Sequence, residues 1–136
     1  MPSALEDKDA IREILAEYCF QLDGGRFDEM AALFTKDGTW DTAFGAATGH
    51  LAISALACSL REGPPQPRPR GIHLVTNIAI VLDGDRATVR SNWMVAANSA
   101  DGPKVGSGGG YADEMVRTAE GWRFRYRKID RFIWAD

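Results

Sequence analysis

The chain has 136 residues, 45% hydrophobic and 26% charged, which is enough for one domain with one core and ordinary for a soluble globular fold. Its formal net charge of −3 gives no electrostatic reason to expect nucleic acid or an anionic membrane as partner. No apolar run approaches the ~20 residues of a membrane span and the polar N-terminus lacks a signal-peptide core, so a cytoplasmic protein is expected.

Ile11, Ile14, Leu15, Tyr18 and Leu22 recur at helical spacing and predict a helix over 4–22. Ser3 and Asp7 are its candidate caps. Gly24-Gly25 stops it, because glycine takes the left-handed C-terminal conformation without penalty. Phe27, Met30, Leu33 and Phe34 predict a short second helix, ended by Lys36-Asp37-Gly38, with Asp37-Gly38 as a turn pair. Thr39-Trp40-Asp41 reads as a short strand leaving that turn. A third helix is expected from His50 to Leu60, with Leu51, Ile53, Leu56 and Leu60 as its apolar set. His50 would cap or precede it at the surface. The proline-rich stretch 62–69 is neither helix nor ladder, since proline lacks the N–H donor. It reads as an exposed loop within one domain.

The remainder is β. Ile72–Leu82 is rich in β-branched residues, Asp83-Gly84-Asp85 is a hairpin turn, and Ala87–Ala97 returns. After the polar turn Asn98–Pro103, Lys104–Thr118 forms a third long strand. Its Gly108-Gly109-Gly110 marks a bulge or bend that lets the sheet curl around the helices. Ala119-Glu120-Gly121 turns into the last strand, Trp122–Phe132. Helices first and an antiparallel meander after define an α+β fold, one domain over 1–136. By strict alternation His73, Val75, Asn77, Ala79 and Val81 share one face. Leu74, Ile78 and Ile80 share the other. Both faces are largely apolar, so one should line the pocket and the other be covered, most simply by a second subunit, in a homodimer or higher oligomer. On the last strand Trp122, Phe124 and Tyr126 would pack, leaving Arg123, Arg125 and Arg127 wet or interfacial.

Cys19 and Cys58 are the only cysteines. They are too few for a disulfide framework, lack metal spacing, and read as buried free thiols in a reducing compartment. Gly106–Gly110 lacks the following Lys-Ser/Thr of a phosphate loop, and no GxSxG elbow occurs. Neither metal nor organic cofactor is expected.

Asp23, just past the first helix, and His73, opening a β-strand, are the residues that point to chemistry. Imidazole exchanges a proton near neutrality, and a carboxylate on one ring nitrogen fixes its tautomer and balances the cation formed on the other. The alternative is a core histidine with one hydrogen bond and a loop aspartate.

The run Glu17-Tyr18-Cys19-Phe20-Gln21-Leu22-Asp23-Gly24-Gly25-Arg26-Phe27-Asp28, His73 within Ile72–Asn77, Asp83-Gly84-Asp85 and Gly121-Trp122-Arg123-Phe124 resemble the nuclear transport factor two-like superfamily. The likeness is to its SnoaL-like and scytalone-dehydratase-like branch, over nearly the whole chain. The resemblance implies a cone-shaped, cystatin-like fold with helices packed on a strongly curved, mostly antiparallel sheet around a pocket. It carries the Asp–His pair of scytalone dehydratase and of hexachlorocyclohexane dehydrochlorinase onto Asp23 and His73. The water-holding tyrosines of scytalone dehydratase fall on Leu22 and Thr42, its second histidine near Ala97 or Asn98, and its strand asparagine near Tyr111. Proton transfer is thus implied, with a different substrate. The expected activity is a cofactor-free, dehydratase-like lyase acting on a small hydrophobic or cyclic molecule. Tyr18, Trp40, Asn92 and Tyr111 are candidates to line the pocket or donate hydrogen bonds. An isomerase or polyketide cyclase would use the same pair. A non-catalytic subunit, like the small subunit of ring-hydroxylating dioxygenases, would fill the cavity with its own side chains.

Overall fold

The computed structural model describes residues 2–61 and 68–134. Of the proline-rich loop, residues 62–67 lie outside the described residues. The elements run α1 (Ala4–Asp23), α2 (Phe27–Ala31), β1 (Phe34–Thr42), β2 (Gly45–Thr48), α3 (His50–Leu60), β3 (Gly71–Asp83), β4 (Arg86–Ser99), β5 (Gly102–Thr118) and β6 (Gly121–Trp134). The six strands form an open sheet in the order β2-β1-β6-β5-β4-β3. All neighbours are antiparallel except β1 and β6.

Helix α1 starts in a capping box: Ser3 accepts from the Glu6 backbone, and the Glu6 side chain accepts from the Ser3 backbone. Asp7 is left free for another role. It accepts from both terminal nitrogens of Arg117, at 2.7 and 2.8 Å, and from the Trp122 indole at 3.2 Å, tying α1 to β5 and β6. At the other end Gly25, with φ of 73°, supplies the left-handed residue that turns the chain. Ile11, Leu15, Tyr18 and Cys19 are buried against the sheet.

Several local expectations give way to the tertiary fold. Leu33 and Phe34 do not extend the second helix. The Leu33 carbonyl accepts from the Phe124 backbone at 2.9 Å and Phe34 packs on the Phe124 ring at 5.1 Å, so β6 captures the chain as β1. Asp37-Gly38 therefore lies inside β1, where the register with β6 slips between Phe34 and Thr39. The short strand β2, not expected, pairs with β1. In α3 the buried residues are Ile53 and Ala57, while Leu51 is 90% exposed. The His50 ring, half-buried, meets the Phe34 carbonyl through Nε2 at 2.7 Å. Cys19 is buried as expected, but Cys58 is exposed.

Bulges change strand parity. Asn77 adopts φ of 55°, and the β3–β4 register shifts between Thr76 and Ala79. His73 and Val75 face the core before the bulge, and Ile78, Ile80 and Leu82 face it afterwards. On β6, Met115 of β5 pairs with Phe124 and Glu114 with Tyr126, so Arg125 is the extra residue. The strand turns over there, and Arg127 is carried inside to 0% exposure rather than out to water. A further bulge lies on β6 opposite Gly108 and Gly109, where Phe132 is the extra residue, rather than within the glycine run itself. A β-carbon on Gly109 would collide with the Asp130 carbonyl. Its absence lets that carbonyl accept from the Trp93 indole at 3.1 Å. On the outer face Leu74, Met94, Gly108 and Ile133 stand in one cross-strand row, with the three apolar side chains exposed.

Candidate active site

Asp23 is the last residue of α1 and His73 the third of β3. Packing of α1 on β3 brings them together across fifty residues of sequence. Both carboxylate oxygens are committed to His73. Asp23 Oδ2 accepts from the His73 backbone N–H at 2.8 Å, and Oδ1 lies 2.5 Å from ring Nδ1. An ionised carboxylate only accepts. Nδ1 therefore carries a hydrogen, and in the neutral imidazole the lone pair is on Nε2. The Asp23 side chain is 9% exposed and that of His73 23%, so the pair sits at a wall rather than in the core.

The wall belongs to a pocket of about 400 Å³, a volume suited to a small organic ligand. Its depth is aromatic. The His73 ring lies 6.1 Å from Trp93, Trp93 6.0 Å from Tyr111, and Tyr111 5.8 Å from Tyr18. The Trp40 indole, a donor only, donates to the Tyr18 hydroxyl at 2.9 Å. Tyr18's own hydroxyl hydrogen is not used in that bond. Burial pushes the Tyr18 phenol up to about 12 and the Tyr111 phenol well above its ordinary value. Both stay protonated at neutral pH and can donate.

Tyr18, Trp40 and Tyr111 thus join Asp23 and His73 around one pocket. Asn92 does not. It lies exposed on the outer face, because Val89, Ser91 and Trp93 are the residues β4 turns inward. Leu22 and Thr42 also line the pocket. Sequence reasoning passed over Trp93, Arg61 and Arg131. Trp93 shares inward parity with Val89 and Ser91, a usable signal once the face of β4 is known. Arg61 and Arg131 carry no local pattern.

Behind the tyrosines lies a buried ion pair. Arg127 Nε stands 3.0 Å from Asp113 Oδ1, both side chains at 0% exposure. The guanidinium carbon lies 3.5 Å from the Tyr111 ring centroid, 4.2 Å from that of Tyr18 and 4.6 Å from that of Phe124. The ions touch without an aligned hydrogen bond, so neither side completes its polar contacts. Burial pushes the Asp113 carboxyl up to about 6, against the pull of Arg127. The same burial raises the Cys19 thiol to about 11, which leaves it protonated and unreactive. Among the described residues, no three His, Cys, Asp or Glu side chains are grouped to hold a metal ion. Nor is any helix there long and apolar enough to cross a membrane.

A curved, open, mostly antiparallel sheet with N-terminal helices over a pocket is the nuclear transport factor two-like, or cystatin-like, architecture. The chain belongs to the SnoaL-like domain family, whose model matches residues 3–128. It is 31% identical over 123 residues to Uncharacterized protein Rv2910c of Mycobacterium tuberculosis (strain ATCC 25618 / H37Rv), covering 88% of this chain and 81% of that one. A solved structure of an Asp-to-Asn variant of Rv3472, a function unknown protein from Mycobacterium tuberculosis, is 28% identical. It superposes with a TM-score of 0.80 over 90% of this chain and 70% of that chain. An ntf2-like protein with a cystatin-like fold from Novosphingobium aromaticivorans is 25% identical, with a TM-score of 0.81 over 96% of this chain and 85% of that one.

Proposed function

We propose that this protein is a cofactor-free lyase of the dehydratase type, acting on a small, largely hydrophobic or cyclic carbonyl compound. The observation that carries the reading is the double hold of Asp23 on His73, which leaves Nε2 as a free base at an open pocket. His73 Nε2 takes the proton from the carbon next to the carbonyl. The electron pair forms the new carbon–carbon double bond as hydroxide leaves the adjacent carbon. The imidazolium then returns its proton to that hydroxide, and water departs. Asp23 balances the charge on the ring throughout. Tyr111, whose phenol stays protonated on the pocket wall, donates to the carbonyl oxygen as negative charge gathers there. The open pocket weighs against a subunit whose cavity is filled from within.

The first proton transfer is tested before any natural substrate is known. Model β-hydroxy ketones are incubated with the protein in deuterated water and followed by NMR. Deuterium should enter at the carbon next to the carbonyl, and the unsaturated ketone should accumulate. A general base of this kind is worth roughly 10²–10⁴ in rate, so His73→Ala should lose about that much. Asp23→Asn should lose a substantial part of it. Wild-type turnover in both variants, with folding intact, would overturn the assignment. Exchange without loss of water would leave the base in place and favour an isomerase.

A further inference from the structure

We propose that the substrate of this pocket is an anion, with a carboxylate or similar group held at the mouth by Arg61 and Arg131 while its apolar body lies against the aromatic depth. The inference rests on the pocket serving the dyad as proposed above. The protein is net negative, yet three arginines, Arg61, Arg70 and Arg131, line this pocket. Among the described residues Asp23 is the only carboxylate lining it, and both of its oxygens are taken by His73. Among the described residues, Arg61 and Arg131 alone already outnumber it.

The arginines come from different elements. Arg61 caps the end of α3 and Arg131 lies on β6. Each guanidinium lies over an aromatic ring. The Arg61 guanidinium carbon stands 5.7 Å from the Phe27 centroid. That of Arg131 stands 5.1 Å from the Phe44 centroid and 5.3 Å from that of Trp134. A cation–π contact holds a guanidinium without using up its N–H donors, which remain for an oxygen ligand. Among the described residues, neither has a carboxylate within ion-pair distance. An arginine at a protein surface normally finds water there. Two of them restrained by aromatic rings around one concave opening form a place for a carboxylate. Burial is graded along the same path. Tyr18, Trp40 and Tyr111 are 4% exposed or less, Arg61 and Arg131 are half-buried, and Phe44 and Arg70 are exposed. An apolar ring with one anionic end matches that gradient.

The test is equilibrium binding of two probes of one shape, 2-naphthoate and the neutral 2-naphthamide, followed by quenching of tryptophan fluorescence. Trp40 and Trp93 lie in the pocket wall to report it. At low ionic strength naphthoate should bind about tenfold more tightly, the order expected of a charge-assisted contact. Added salt should narrow the ratio, because the rim is reached by solvent. The Arg61→Gln, Arg131→Gln double variant should bring the two affinities together by weakening naphthoate alone. His73→Ala should keep the preference, which separates this inference from the catalytic one: the base could fail its own test while the anion preference stands, and the reverse. Equal affinity for the probes, binding of neither, or an undiminished preference in the double variant would overturn the proposal.

Discussion

Arg127→Met probes the buried pair on which the pocket tyrosines rest. Arg127 and Asp113 are both at 0% exposure, 3.0 Å apart, with no hydrogen-bond partner to take up what is left. Removing one ion strands the other. Breaking a buried pair in this way costs about 3–5 kcal/mol, a large share of the ~5–15 kcal/mol that holds a typical domain together. Loss of the cation beneath three aromatic rings adds to that cost. Replacing both ions, as Asp113→Val with Arg127→Met, should recover most of the loss, since the pair is expensive to bury and its own contacts are incomplete. Urea unfolding of the wild type, both single variants and the double variant measures the coupling. The pH dependence supplies a second reading. Burial holds the Asp113 carboxyl at about 6, above its ordinary 3.8, so the fold favours the protonated form. Its stabilising contribution is complete below the ordinary value and is lost as pH rises through about 6. That slope should vanish in the double variant. A cost below about 1 kcal/mol for Arg127→Met, or a double variant no more stable than the singles, would refute the reasoning.

Asp7 should behave in the opposite sense. Hydrogen bonds from Arg117 lower its carboxyl below the ordinary 3.8, burial opposing and Trp122 assisting. The Tm advantage of wild type over Asp7→Asn should be present above that value and close as pH falls through the lowered one. Gly109→Ala pushes a β-carbon into the Asp130 backbone and disturbs the bond from Trp93. Thermal unfolding should show a loss of about 1–3 kcal/mol, with a changed tryptophan fluorescence spectrum. Asn77→Val places a β-branched residue at φ of 55° and should cost about 1–2 kcal/mol by urea titration, whereas Asn77→Gly should be tolerated.

The element order, the helix α1 and the four long strands are legible because each rests on local chemistry: helical spacing, β-branched runs and turn residues. The second helix was read too long because Leu33 and Phe34 suit either state. A hydrogen bond from Phe124, about ninety residues away, decides between them. Asn92 reads as a candidate pocket residue and Arg127 as outward-facing for want of the faces of β4 and β6. One-residue bulges at Asn77 and Arg125 change parity, and nothing local marks them on a strand of alternating character.

The sequence by itself determined the fold class and singled out Asp23 and His73, since they fall where the family it resembles carries an Asp–His pair. Only the tertiary structure decided that the two Asp23 oxygens grip both the ring and the backbone of His73. It also decided that Trp40 donates to Tyr18, that Arg127 lies buried beneath the tyrosines, and that Arg61 and Arg131 line one pocket. Each depends on the docking angle of a helix or the parity of a strand. Such geometry is set by long-range packing, which no stretch of neighbouring residues encodes alone.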